Sequence, residues 1–111
     1  MVETEISPTV LDECCSLADT WAPVLKALGH EERLLIVLWL ADTASTVREL
    51  ERVTGLSQSA VSYHLAALRE AGLVVSSPEG RSNRYRLAHP GLNRLATLLG
   101  NLKLAGDDTA T

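Results

Sequence analysis

Between Thr46 and Gly72 the chain starts and stops two helices with almost no room between them. That spacing constrains the fold more than any other feature. Thr46-Val-Arg-Glu49 fits a capping box: a hydroxyl caps the first turn and a glutamate answers three residues later. Val47, Leu50 and Val53 follow at helical spacing, and Gly55 closes the helix. Ser57 is the next N-cap candidate; it opens a helix to Ala71, with Gly72 as its stop. The connection between residues 54 and 57 has the length of a helix-turn-helix turn, which is often built around a glycine.

The flanks complete a pattern. Residues 9–28 read as helix interrupted near Pro23, which opens a second short helix to Leu28 because proline suits a first turn. Glu31 to Ala41 is a third helix, apolar nearly all round and therefore expected to be central and buried. Beyond Gly72, Leu73 to Ser77 reads as a strand, Pro78-Glu-Gly80 as a turn, and Asn83 to Ala88 as the returning strand. Pro90 opens a last helix reaching toward Ala105, with Leu92, Leu95, Leu98, Leu99 and Leu102 on one face. The expected fold is mainly α with a small β-hairpin wing, a winged helix-turn-helix in the order α-α-α-α-α-β-β-α. Residues 1–8 read as a flexible N-terminal arm, 9–104 as one DNA-binding and dimerisation domain, and 105–111 as a flexible acidic tail.

Composition narrows the setting. The chain has 111 residues and no Phe, so its core is aliphatic, with leucine supplying 20 positions. The longest apolar run, Leu34 to Ala41, is far too short to cross a membrane, and Met1 to Pro8 has no basic segment of a secretory signal. Cys14 and Cys15 are adjacent, too close for a relaxed disulfide. A reduced, cytoplasmic protein is expected. The net charge of −4 argues against nucleic acid when taken whole, but it hides an asymmetry. Residues 1–42 carry eight acids and two bases, whereas residues 43–103 carry four acids and eight bases. The local footprint decides nucleic-acid binding, and Arg81, Arg84 and Arg86 are its densest part.

On the helix from Ser57 to Ala71, Val61, Leu65 and Leu68 form the inward stripe. Ser59, Ser62, Tyr63 and Ala66 lie opposite. That face is small and polar, where a merely solvated face would carry Lys and Glu, so it permits close approach to a groove. Gln58 offers a paired donor and acceptor suited to adenine, and the serines suit bases or phosphates. His64 lies on the border of the core; a half-buried histidine bonded to a neighbour competes there with a base contact. Arg81 stands at the wing tip, where it can enter a minor groove, while Arg84 and Arg86 can reach the backbone. The DNA-binding set is therefore Gln58, Ser59, Ser62, Tyr63, His64, Arg81, Arg84 and Arg86, and the partner is double-stranded DNA.

Three runs carry a resemblance: Leu28-Gly-His-Glu-Glu-Arg-Leu-Leu-Ile36; Leu56-Ser-Gln-Ser-Ala-Val-Ser-Tyr-His-Leu-Ala-Ala-Leu-Arg-Glu-Ala-Gly-Leu-Val74; and Glu79-Gly-Arg81 with Arg84-Tyr-Arg-Leu87. Together they resemble the ArsR/SmtB family of bacterial winged-helix homodimers, which usually act as metal- or metalloid-responsive repressors. The likeness covers about residues 10–104 and is most specific from Leu56 to Val74; Glu31 stands where the family commonly has proline. It implies a homodimer through the first and last helices, here Leu11, Leu17, Leu92, Leu95, Leu99 and Leu102, and hence an inverted-repeat operator. One family metal site, a Cys-Val-Cys run in the first helix of the helix-turn-helix, is absent, since that helix has no thiol. A second, of Asp and His along the last helix, is absent too. Cys14 and Cys15, with His89, remain as candidate ligands for a thiophilic ion such as As, Cd or Zn, and nickel at a nitrogen and oxygen site would leave the thiols idle. The competing reading of the cysteines is one buried small side chain beside an incidental thiol.

Two other functions compete. One is a protein-interaction winged helix, or a metal-independent regulator or activator that needs a separate effector-sensing protein partner; the acidic N-terminal half suits it. The polar Gln58–Tyr63 face and the wing arginines favour DNA, because a docking surface would carry large apolar anchors. The other is an enzyme with a nucleophilic cysteine, which lacks an activating partner beside Cys14.

Overall fold

The computed structural model describes residues 7–102 and 105–106. The expected arm, apart from Ser7 and Pro8, and most of the expected tail lie outside the described residues. The element order is α1 (Pro8–Leu28), α2 (Glu31–Asp42), β1 (Ser45–Thr46), α3 (Val47–Thr54), α4 (Gln58–Glu70), β2 (Val74–Glu79), β3 (Ser82–Leu87) and α5 (Leu92–Gly100). Five helices and a three-stranded antiparallel sheet in the order β1-β3-β2 make a winged helix-turn-helix.

The helix-turn-helix forms as its caps dictate. The Thr46 hydroxyl accepts from the Glu49 amide at 3.2 Å, and the Glu49 carboxylate accepts from the Thr46 amide at 3.2 Å. Gly55 ends α3 at φ +74°, a left-handed conformation that disfavours any residue with a Cβ. The Ser57 hydroxyl then caps α4 through the Ala60 amide at 3.2 Å. Leu50, Val61, Leu65 and Leu68 turn inward against Ile36, Leu40, Leu73 and Val74, all of them buried. This aliphatic cluster fixes the angle at which α4 is presented.

Several expectations are corrected. Pro23 does not interrupt α1, which runs unbroken through it. The missing N–H removes one helical bond, but Trp21, Val24 and Ala27 around it are buried and hold the segment in place. The link before α3 contains β1, whose Ser45 pairs with Tyr85 and Thr46 with Arg84. Pro78 and Glu79 belong to β2, so the wing turns at Gly80–Arg81, with Gly80 at φ +61°. Proline is tolerated there because β2 is an edge strand. The last helix opens at Leu92 and ends at Gly100, two residues later than Pro90 and short of Ala105. Gly91 before it is a matter of space: a Cβ there would sit 2.8 Å from the Trp21 ring.

The helix α2 is buried on one face only. Ile36, Val37 and Leu40 face the core, whereas Leu34, Leu35 and Leu38 are exposed, Leu38 by 62%. α1 is similarly divided. No residue from Ser7 to Thr20 is buried, and the chain spans 64 × 30 × 20 Å, elongated for its size.

Candidate nucleic-acid interface

The outward face of α4 is as the helical spacing predicts. Gln58, Ser59, Ser62, Tyr63 and Ala66 are exposed, and Val61, Leu65 and Leu68 are buried beneath them. Tyr63 is the most exposed of the large hydrophobic side chains among the described residues, at 65%, with the Arg33 guanidinium 5.7 Å from its ring centroid.

Gln58 and Arg81 line a common cleft between α3, the start of α4 and the wing. Its volume is about 510 Å³, and Arg48, Glu51 and Asn83 complete its polar wall. Arg48 was missed by sequence reasoning. It sits second in a helix that reads as scaffold, and only the fold shows that the first turn of α3 opens beside the wing. Among the described residues neither Arg48, Arg81 nor Arg86 forms an ion pair within 4 Å, so their charges face solvent. The cleft thus brings two unpaired guanidiniums beside an amide side chain at a helix N-terminus, an arrangement suited to phosphate and base edges together.

Arg84 is placed differently from its expected role on the DNA backbone. Its Nη2 lies 2.7 Å from Glu79 Oε2 and 3.1 Å from Glu49 Oε1, its Nε donates to both Glu79 oxygens at 3.0 Å, and its Nη1 donates to the Ala44 carbonyl at 2.8 Å. Arg84 therefore clasps the wing to β1 and to the cap of α3, and four of its five N–H donors are engaged inside the protein. The Thr46 amide and hydroxyl, with Arg84, hold the Glu49 carboxyl below its ordinary range; the Arg84 hydrogen bonds do the same for Glu79. These carboxylates in turn raise Arg84.

His64 is also corrected as a base contact. It is only 4% exposed and points away from the outward face of α4. Its Nε2 lies 2.6 Å from Glu32 Oε2, and its Nδ1 accepts from Arg33 Nε at 3.2 Å. It ties α4 to α2.

The dimer candidates divide. Leu95 is buried in the protomer's own core and Leu92 packs against it, because Trp21 and the turn at Gly91 draw the start of α5 inward. Leu11, Leu17, Leu99 and Leu102 are exposed, as are Leu98 of the same stripe and Val10 and Leu25 of α1. Both cysteines are exposed, so neither is a buried core residue. His89 is half-buried, its ring tilted against that of Trp21 at 5.1 Å between centroids, with Nδ1 accepting from the Gly91 amide at 3.1 Å. Cys14, Cys15 and His89 are thus not gathered into one ligand set; among the described residues the one group of three metal-ligand side chains is His30, Glu32 and His64.

Fold and exposed face together define a DNA-binding winged helix-turn-helix regulator of transcription. Residues 30–76 match the family described as bacterial regulatory protein, arsR family. Over 95 residues the chain is 37% identical to the HTH-type transcriptional regulator YgaV of Escherichia coli, covering 85% of this chain and 96% of that one. Among solved structures, reduced HlyU from Vibrio cholerae matches with a TM-score of 0.70 at 37% identity, over 78% of this chain and 92% of that one. The homodimeric winged helix-turn-helix DNA-binding domain from Mycobacterium bovis, solved by solution NMR, matches with a TM-score of 0.66 at 32% identity, over 89% and 86%. The chain belongs to the ArsR family of bacterial regulatory proteins, which is not an enzyme class. No helix among the described residues is long and apolar enough to cross a membrane.

Proposed function

We propose that the protein is a cytoplasmic, sequence-specific regulator that binds an inverted-repeat operator as a homodimer. The observation that carries this reading is the cleft joining Gln58 at the start of α4 to Arg81 at the wing tip. Gln58, Ser59, Ser62 and Tyr63 enter the major groove. Arg81 reaches the adjacent minor groove, and Arg48 and Arg86 contact phosphates. The exposed leucines of α1 and α5 pair across the twofold axis, as the homodimeric Mycobacterium bovis domain supports for a chain of this fold.

Selection from random duplexes tests both parts. The expected product is an inverted repeat with half-site centres one helical turn, about 34–36 Å, or a multiple of that apart. Enrichment of single half-sites would contradict the dimer, and no enrichment would contradict sequence reading.

A further inference from the structure

The helix α4 has two flanks. On one, Gln58 meets Arg48 and Arg81 in the wing cleft. On the other, Tyr63 and Ala67, about 140° and 180° further round at 100° per residue, face the start of α2 and the end of α1. A second pocket of about 470 Å³ opens there. Lys26 and Arg33 supply its cations, Glu70 its acid, and Ala27, Ala67 and Ala71 keep its wall low. The geometry points to a binding site here for a backbone phosphate of duplex DNA, which clamps α4 in the major groove from the side opposite the wing. Such a clamp rests on the reading of α4 as the DNA-reading helix.

Arg33 is held from behind. Its Nε donates to His64 Nδ1 at 3.2 Å, and His64 Nε2 lies 2.6 Å from Glu32 Oε2. A ring that accepts at Nδ1 and faces a carboxylate at Nε2 is fixed in one orientation, and at 4% exposure it is also packed in place. Among the described residues the two terminal nitrogens of Arg33 have no acceptor. The guanidinium stands 5.7 Å from the ring centroid of Tyr63, an exposed residue of the DNA-facing side. The buried histidine thus presents a fork with four free N–H donors at the edge of that surface, a shape that takes two phosphate oxygens at once. Lys26 is exposed and, among the described residues, has no ion pair within 4 Å, so its ammonium adds a point charge to the same pocket.

The shape of DNA explains why cations stand on both flanks. A B-form major groove is about 12 Å wide and a helix with its side chains about 10–12 Å, so a helix seated there has a phosphate strand along each edge. Arg48 and Arg81 face one edge, Lys26 and Arg33 the other. The two cations outweigh Glu70, and the alanine wall admits a sugar-phosphate backbone that longer side chains would hold off.

The test uses the full chain with two substitutions chosen to spare the fold, which circular dichroism and denaturant midpoints check. Lys26→Gln removes an exposed charge. Arg33→Gln removes the fork but keeps an N–H near the place of Nε, so His64 retains a donor. Affinity for the selected operator and for a random duplex is measured by fluorescence anisotropy between 50 and 200 mM salt. Each substitution should weaken both duplexes alike and lower the salt slope by about one for each protomer bound, so that the parent loses about threefold more affinity per protomer over that range. Neutral methylphosphonate linkages are then scanned through the operator. They should reveal phosphates that matter to the parent and not to Arg33→Gln, on the opposite edge of the major groove from those that cease to matter in Arg81→Ala. An unchanged slope for folded Arg33→Gln, a loss confined to the operator, or a methylphosphonate pattern identical to the parent's would overturn the site. If Arg33→Gln does not fold, Lys26→Gln decides by the same readings. A parent that binds neither duplex would overturn the DNA-reading role of α4 as well, whereas a parent that binds beside unaltered variants counts against this pocket alone.

Discussion

The half of the molecule built from α2, α3, α4 and the sheet differs sharply from the half built from α1 and α5. In the first, each helix carries a side-chain cap, the Arg84 clasp holds the wing, and His64 bonds α4 to α2. In the second, α5 has no side-chain cap, and Val10, Leu11, Leu17, Leu25, Leu98, Leu99 and Leu102 stay in water. The helix-turn-helix and wing are thus tied together within one chain, whereas α1 and the end of α5 present apolar surface suited to covering by a second copy. Small chains bury too little surface to stabilise everything alone, so completing the second half through a partner also adds stability.

The contrast breaks most visibly in the leucines. Leu99→Glu should return the dimer to monomers, because a buried unpaired charge in an interface costs several kcal/mol; sedimentation reads the change. Leu95→Glu is not equivalent, since Leu95 lies in the protomer core, and it should unfold the chain rather than merely split it. Next in size, Ile36→Ala in the first half should cost about 2–4 kcal/mol in denaturant unfolding at any protein concentration, as a cavity in a packed core does. Leu11→Ala should destabilise only in a way that depends on concentration.

These tests separate what the sequence made legible from what it did not. Caps, stops and the α4 stripe were readable because each is local: Thr46 with Glu49, Gly55, Ser57, and Val61 with Leu65 and Leu68 act within one or two turns. The outward face of α4 followed from the same periodicity. The roles of Arg84, His64, Leu95 and Arg48 were not legible, because each depends on a partner brought near by the fold. Arg84 meets Ala44 forty positions away and His64 meets Glu32 thirty-two away. A two-residue strand such as β1 has no period to detect, and Pro78 reads as a turn unless the edge position of β2 is known.

The clasp provides the smallest expected effect. The Glu49 and Glu79 carboxyls are held below their ordinary range, so their contribution is fully present above the unfolded carboxylate value of 4.5 and is lost as pH falls through the depressed values. Wing amides should therefore stay protected from exchange at neutral and mildly acid pH and lose protection only below the usual carboxylate range. Arg84→Ala should raise wing exchange already at neutral pH, while leaving the cap of α3 in place.

On the proposed division of labour, the start of α4 reads bases while the wing tip holds the DNA by charge. A salt titration of binding, on the selected operator and on a random duplex, tests it most directly. Gln58→Ala should lose about 1–3 kcal/mol on the operator and much less on random DNA, with the salt slope unchanged. Arg81→Ala should weaken both and reduce the slope by about one. Equal losses for Gln58→Ala on both duplexes, or an unchanged slope for Arg81→Ala, would contradict that division of labour.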